Sequence, residues 1–290
     1  LDANEGDVMD LLQIASELLN EDETSSGQSD LIAKTSQIAT TQATTSIERG
    51  IEVIGYLCSK TQVKEELAYG FKCGLNAKQT TLERLVEVAN APCAGESISA
   101  YALATTFDLI AVSNETLRKE AFEGKEISME QYDELQLLGK TEEEKEQTPK
   151  TPDDTPKSVE ERIHRLANAN VPRAMVKLMD GASETTIEKL TVGLNRIAID
   201  ASVRGLLIQQ GVLSACIKIE EVQNPSDIQK NTWRQARQCV AKLLVTTNPS
   251  MLTTSQRIGA IKPLIQLIRD SDASDLQHFE SLLAITNLAS

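Results

Sequence analysis

Apolar residues recur along this chain at three- and four-residue spacing, in short runs separated by polar breaks, and the runs are of two kinds. The first kind is followed by a charged or polar stretch. It covers residues 51–58 followed by 62–67, then 103–110 followed by 114–120, then 190–198 followed by 202–207. It returns at 239–244 followed by 248–249, and again at 282–289. Taking Leu57, Leu109, Ile197, Leu244 and Leu288 as equivalent anchors, the last two steps are about 47 and about 44 residues, inside the range of armadillo and HEAT repeats. The first step, about 52, is slightly long. The step from Leu109 to Ile197 is about twice the others and predicts an insertion.

The second kind of run precedes the first, at 82–88, 171–179, 212–219 and 261–268. Two copies carry a proline, Pro172 and Pro263, read here as lying near a helix start, where a missing N–H costs nothing. Two follow a glycine, Gly211 and Gly259, which suits a sharp corner between successive helices. A single helix pair of this kind could not cover its own apolar face, whereas stacked pairs can. The pattern therefore predicts an all-α fold, an armadillo/HEAT-type right-handed helical-repeat solenoid.

Composition agrees. Hydrophobic residues make up 40% of the 290 residues but aromatics only 3%, so the core must come from Leu, Ile, Val and Ala. A formal net charge of −14 repels phosphate backbones and anionic membranes, and argues against nucleic acid or membrane as partner. The five cysteines (Cys58, Cys73, Cys93, Cys216, Cys239) lie in or beside apolar runs without C-x-x-C spacing, which predicts reduced, buried thiols. No run reaches the length of a membrane span and no signal peptide opens the chain; a first residue of Leu1 suggests a piece of a longer protein.

Residues 140–157 contain no aliphatic side chain and are rich in Glu, Lys, Thr and Pro, so they offer nothing to offset the entropy of ordering. They read as an acidic flexible linker that divides repeats at 1–139 from repeats at 158–290. Its three Thr-Pro pairs make Thr148, Thr151 and Thr155 candidate proline-directed phosphorylation sites, with a plain solvated linker as the blander reading.

Candidate chemistry is sparse. The two histidines, His164 and His278, are far apart, and no zinc-protease, nucleophile-elbow, dinucleotide-binding or phosphate-loop pattern occurs. No catalytic set, cofactor site or metal-ligand set is expected, and the chain reads as a non-enzyme. The lone Trp233, flanked by Arg234 and Arg237, is a candidate interface residue or a packing residue.

The stretch 276–290 closely resembles a signature of the UCS-domain myosin chaperones. So do Asn248-Pro249, the run 261–268, Val203-Arg204-Gly205 and Gln209-Gln210-Gly211, and, upstream, 63–67 and 103–106. The resemblance implies that 1–139 are armadillo repeats of the family's central domain and 158–290 the first repeats of its UCS domain. It further implies a cytoplasmic co-chaperone acting on the myosin motor domain. Docking to a heat-shock chaperone would run through a tetratricopeptide domain, of which this chain shows no sign. In such a solenoid the third helix of each repeat lines the concave face. Asn287, and Arg196 at the equivalent place in an earlier copy, are the candidate client contacts, beside Trp233. The competing reading is a generic armadillo adaptor with another client. Recognition of basic peptides would want a regular ladder of Trp and Asn, which one Trp does not make.

Overall fold

The computed structural model describes residues 5–20, 36–72, 78–122, 131, 154–219 and 221–290, and among these every regular element is helical. Helices α1 (Glu5–Leu18) and α2 (Ser36–Leu57) open the chain. They are followed by α3 (Thr61–Tyr69), α4 (Thr81–Ala89), α5 (Ala100–Ile110) and α6 (Asn114–Phe122). After the insertion come α7 (Pro156–Asn168), α8 (Val171–Leu178) and α9 (Glu184–Ile197). The chain ends with α10 (Arg204–Gln209), α11 (Val212–Lys218), α12 (Asp227–Thr246), α13 (Thr254–Arg269) and α14 (Asp275–Ala289).

Helix starts are written in short polar side chains. Thr80, Ser226, Thr253 and Ser274 each accept from the backbone N–H three residues on, while Glu83, Gln229, Gln256 and Gln277 return a bond to the cap's own N–H. Gly211 sits at φ +91° immediately before α11, a left-handed corner that glycine adopts without strain.

The helices stack in three rows, as a repeat solenoid requires. The first helices run α3, α7 and the 3-10 turn Ala201–Val203; the second run α4, α8, α11 and α13; the third run α2, α5, α9, α12 and α14. Leu, Ile, Val and Ala fill the space between rows, with Leu67, Leu85, Leu103, Leu166, Leu194, Leu213, Leu243 and Leu264 all fully buried. The double-length step from Leu109 to Ile197 resolves simply. Helices α5 and α9 pack directly against each other, so these two third helices are neighbours in the stack despite the longer step in sequence.

The return point is fastened by buried charge. Lys64 and Arg162 are both fully buried. Lys64 Nζ donates to the Val112 carbonyl (2.9 Å) and to Asn114 Oδ1 (2.7 Å), and Arg162 Nε donates to the Ile110 carbonyl (2.9 Å). Asp154 sits between them, 2.8 Å from Arg162 Nη1 and 3.8 Å from Lys64 Nζ, and accepts from the Asn114 backbone N–H. Burial pushes the Lys64 ammonium down to about 8, with Asp154 acting against that shift. Of the linker drawn at 140–157, only 154–157 lie among the described residues, and these belong to the folded part: Asp154 is ion-paired, Thr155 caps α7 and Pro156 opens it. Thr148 and Thr151 lie outside the described residues.

Three expectations need correction. Pro263 lies well inside α13 rather than near a helix start, because a single helix here does the work of a first and a second helix. Gly259 makes no corner. It lies within the same helix, where a Cβ would stand 3.0 Å from Ile217, so it serves close packing of α13 on α11. Cys93 is exposed, at φ +58° in the turn after α4, whereas Cys58, Cys216 and Cys239 are buried. Cys73 lies outside the described residues.

Candidate protein-interaction surface

The row of third helices carries a chain of polar side chains that crosses from helix to helix at the repeat spacing. On α9, the buried Asn195 donates to Gln235 Oε1 (2.6 Å) and Gln238 Oε1 (3.0 Å) of α12. Lys242 of α12 reaches back to Asn195 Oδ1 (2.9 Å). Gln238 Oε1 also accepts from Gln277 of α14 (2.9 Å), so one amide oxygen joins three successive third helices. Toward the helix starts, Asn231 donates to Glu188 (2.7 Å) and Gln229 to Glu184 (2.7 Å). These pairs are 43 and 45 residues apart in sequence, which is the repeat length read directly as hydrogen bonds.

Electrostatics on this row are self-contained. Lys242 is buried, which lowers its pKa; Glu280 opposes that shift. Asp108 of α5 is completely buried, with Lys189 Nζ 2.6 Å from its Oδ2 and Arg196 on its Oδ1. Not every donor is firmly held. Gln235 Nε2 lies 3.5 Å from Asn231 Oδ1 and Gln238 Nε2 lies 3.4 Å from Glu280, both longer than a good hydrogen bond. These two amide groups are the ones a partner's carbonyl could capture at least cost.

The three candidate contact residues occupy different settings. Asn287 donates both amide protons to α12, to the carbonyls of Leu244 (2.6 Å) and Thr247 (2.7 Å), capping the end of that helix. What it retains for a partner is its side-chain oxygen. Arg196 spans Asp108 and Glu120, binding α9 to α5 and α6, with its side chain 11% exposed. Both residues therefore reach backward to the preceding repeat, a pattern that follows from their equivalent positions. Trp233 is half-buried on α12, with the Arg237 guanidinium 5.8 Å from its ring centre. It walls a groove of about 610 Å³ floored by Val176, Met179, Ile187, Ala215 and Ile219, on the second-helix side of the stack.

Sequence reasoning did not find the Asn195–Gln238–Gln277 chain. The available signal was the recurrence of amide residues about 40 residues apart, which is weak until the helices are in register. Both histidines are on helices, as the sequence suggests. His278 contacts the Asp270 carbonyl (3.0 Å), and His164 faces Asp200 (3.0 Å). No helix among the described residues is long and apolar enough to cross a membrane.

No family model matches the chain. Among curated proteins it is 27% identical over 143 residues to protein unc-45 homolog B of Xenopus tropicalis, covering 48% of this chain and 15% of that protein. It is 25% identical over 245 residues to protein unc-45 homolog B of Homo sapiens, covering 82% of this chain and 23% of that protein. Among solved structures, UNC-45 from Drosophila melanogaster matches with a TM-score of 0.62 at 23% identity, over 99% of this chain and 30% of that one. The myosin chaperone UNC-45 from C. elegans, solved with an Hsp90 peptide, matches with a TM-score of 0.61 at 20% identity, over 100% of this chain and 27% of that one. The solved structures share the solenoid fold, and the curated relatives bear out the resemblance to the UCS-domain myosin chaperones. The chain spans less than a quarter of the length of the two curated relatives.

Proposed function

We propose that this chain is part of a chaperone scaffold that binds the myosin motor domain and assists its folding and assembly, without chemistry of its own. The observation that carries the reading is the row of third-helix amides, taken together with the similarity to unc-45 homologues. Neighbouring packed helices lie about 8–10 Å apart, and an extended chain advances about 3.3 Å per residue. One polar position per repeat therefore meets an extended client about every third residue. Backbone groups are what an unfolded segment offers whatever its sequence, so Gln235 and Gln238 could hold it while leaving its side chains unread.

Asn287 Oδ1 would extend this row, Arg196 would keep it in register by holding α9 to α5, and Trp233 would supply an apolar anchor in its groove. Docking of a heat-shock chaperone belongs, in this reading, to a part of the parent protein other than these repeats, and the setting is the cytoplasm. The competing role is an armadillo adaptor for another client. A pull-down with the immobilised chain separates them: retention of myosin motor domain over an unrelated ATPase of similar size supports the chaperone reading, and equal retention or none sinks it.

A further inference from the structure

Away from the third-helix row, a histidine and two carboxylates converge on one point at the junction of two repeats. Glu160 and His164 stand four residues apart on α7 and so share one face, beside the buried Ile163 and Leu166. Asp200 comes from the turn after α9. The candidate ligand atoms of all three lie within 4.8 Å of one another.

The geometry around Asp200 is unusually committed. One carboxylate oxygen, Oδ1, caps the turn Ala201–Val203, accepting from the Ser202 N–H (2.8 Å) and the Ser202 hydroxyl (2.6 Å). The other, Oδ2, is buried and stands 3.0 Å from His164 Nε2, which also lies 3.0 Å from the Ser202 hydroxyl. Apart from that imidazole no group among the described residues satisfies Oδ2, and a buried carboxylate oxygen calls for a donor or a cation there. The nearby Arg204 does not fill the role, since its guanidinium donates to the carbonyls of Ala198 and Ile199. Glu160 forms no ion pair among the described residues, while its neighbour Glu161 faces Lys157.

We propose that Glu160, His164 and Asp200 bind a divalent transition metal of the zinc class, joining α7 to the turn that begins the next repeat. One imidazole with two carboxylates is a donor set for zinc, rather than for calcium or magnesium, which take oxygen ligands. Two ligands 3.0 Å apart, each at about 2.0–2.2 Å from a metal, subtend about 90° at it. Water would complete the shell on the open side of the exposed Glu160. The orienting bond from Ser202 to Asp200 is the kind of outer contact that holds a metal-ligating carboxylate in place.

The test is calorimetric titration of the whole chain with zinc chloride alone, alongside thermal unfolding. One equivalent of zinc should bind and raise the melting temperature. His164→Ala and Glu160→Gln should each weaken binding by about tenfold or more. His278→Ala and Cys93→Ser should leave it unchanged. Glu160 is exposed, so its variant keeps the test independent of any folding defect. Cobalt(II) should give visible absorption bands that disappear in His164→Ala. Absence of saturable zinc binding, or binding undiminished in both His164→Ala and Glu160→Gln, would overturn the proposal.

Discussion

Asp108 on α5 and Arg196 on α9 are ion-paired although 88 residues of sequence separate them. The contact shows that the insertion does not interrupt the solenoid, because it joins equivalent faces of two neighbouring third helices. Lys189 meets the other oxygen of the same carboxylate. Replacing Asp108 by Ala should destabilise the chain by about 3–5 kcal/mol, since two cations then lose their buried counter-charge. Asp108→Asn should cost less. Urea denaturation measures both, and a cycle with Arg196→Ala should show strong coupling.

Gly95 marks a second seam between the repeats before and after the insertion. A Cβ there would stand 2.1 Å from the Asp180 carbonyl oxygen and 2.4 Å from that of Leu178. Backbone on both sides leaves no flexible side chain to move aside. Gly95→Ala should therefore cost about 1–3 kcal/mol or more, and should raise hydrogen exchange in α4 and α8 before it does so in α12.

The pH dependence of stability should carry the mark of Lys64. Its folded pKa is about 8, below the ordinary 10.5, because the ammonium is buried. Between those values the unfolded chain holds a proton that the folded chain does not, so this residue's contribution to stability rises with pH from about 8 to 10.5. Wild type should thus gain on Lys64→Met across that window in urea titrations; a flat or falling difference would contradict the assignment. Cys58, pushed up to about 12 by burial, acts oppositely above pH 9, and is present in both proteins.

Thiol reactivity should separate the cysteines. Cys93 is exposed, while Cys58 and Cys216 are buried with thiols held well above their ordinary pKa, and Cys239 is buried beside Cys216. In a Cys73→Ser background, one thiol should react promptly with an aromatic disulfide reagent at pH 8, and the remaining three only after denaturation.

Much of this architecture is legible in the sequence, and the part that is not has a physical cause. The third helices announce themselves because residues such as Leu103, Ile110, Leu190, Leu194 and Ile197 repeat at helical spacing and are fully buried. Lys64 and Arg162 are as deeply buried, but a hydropathy pattern assigns charged residues to the surface. Only the convergence of Asp154 and two backbone carbonyls, those of Ile110 and Val112, brought from distant positions, makes their burial tolerable. Gly259 and Pro263 misled for a related reason: residues that favour corners also permit close approach, and which role applies depends on the neighbouring helix. Asn287 is recognisable as a special residue, but its two hydrogen bonds to the end of α12 depend on carbonyls about 40 residues away.

The central claim is that these repeats hold unfolded myosin through the amides of the third-helix row, and light scattering tests it most directly. A myosin motor domain heated with an equimolar amount of this chain should aggregate more slowly than alone. A Gln235→Ala, Gln238→Ala variant that remains folded should lose most of that protection. Scattering unchanged by the wild-type chain, or suppressed equally by the variant, would contradict the account.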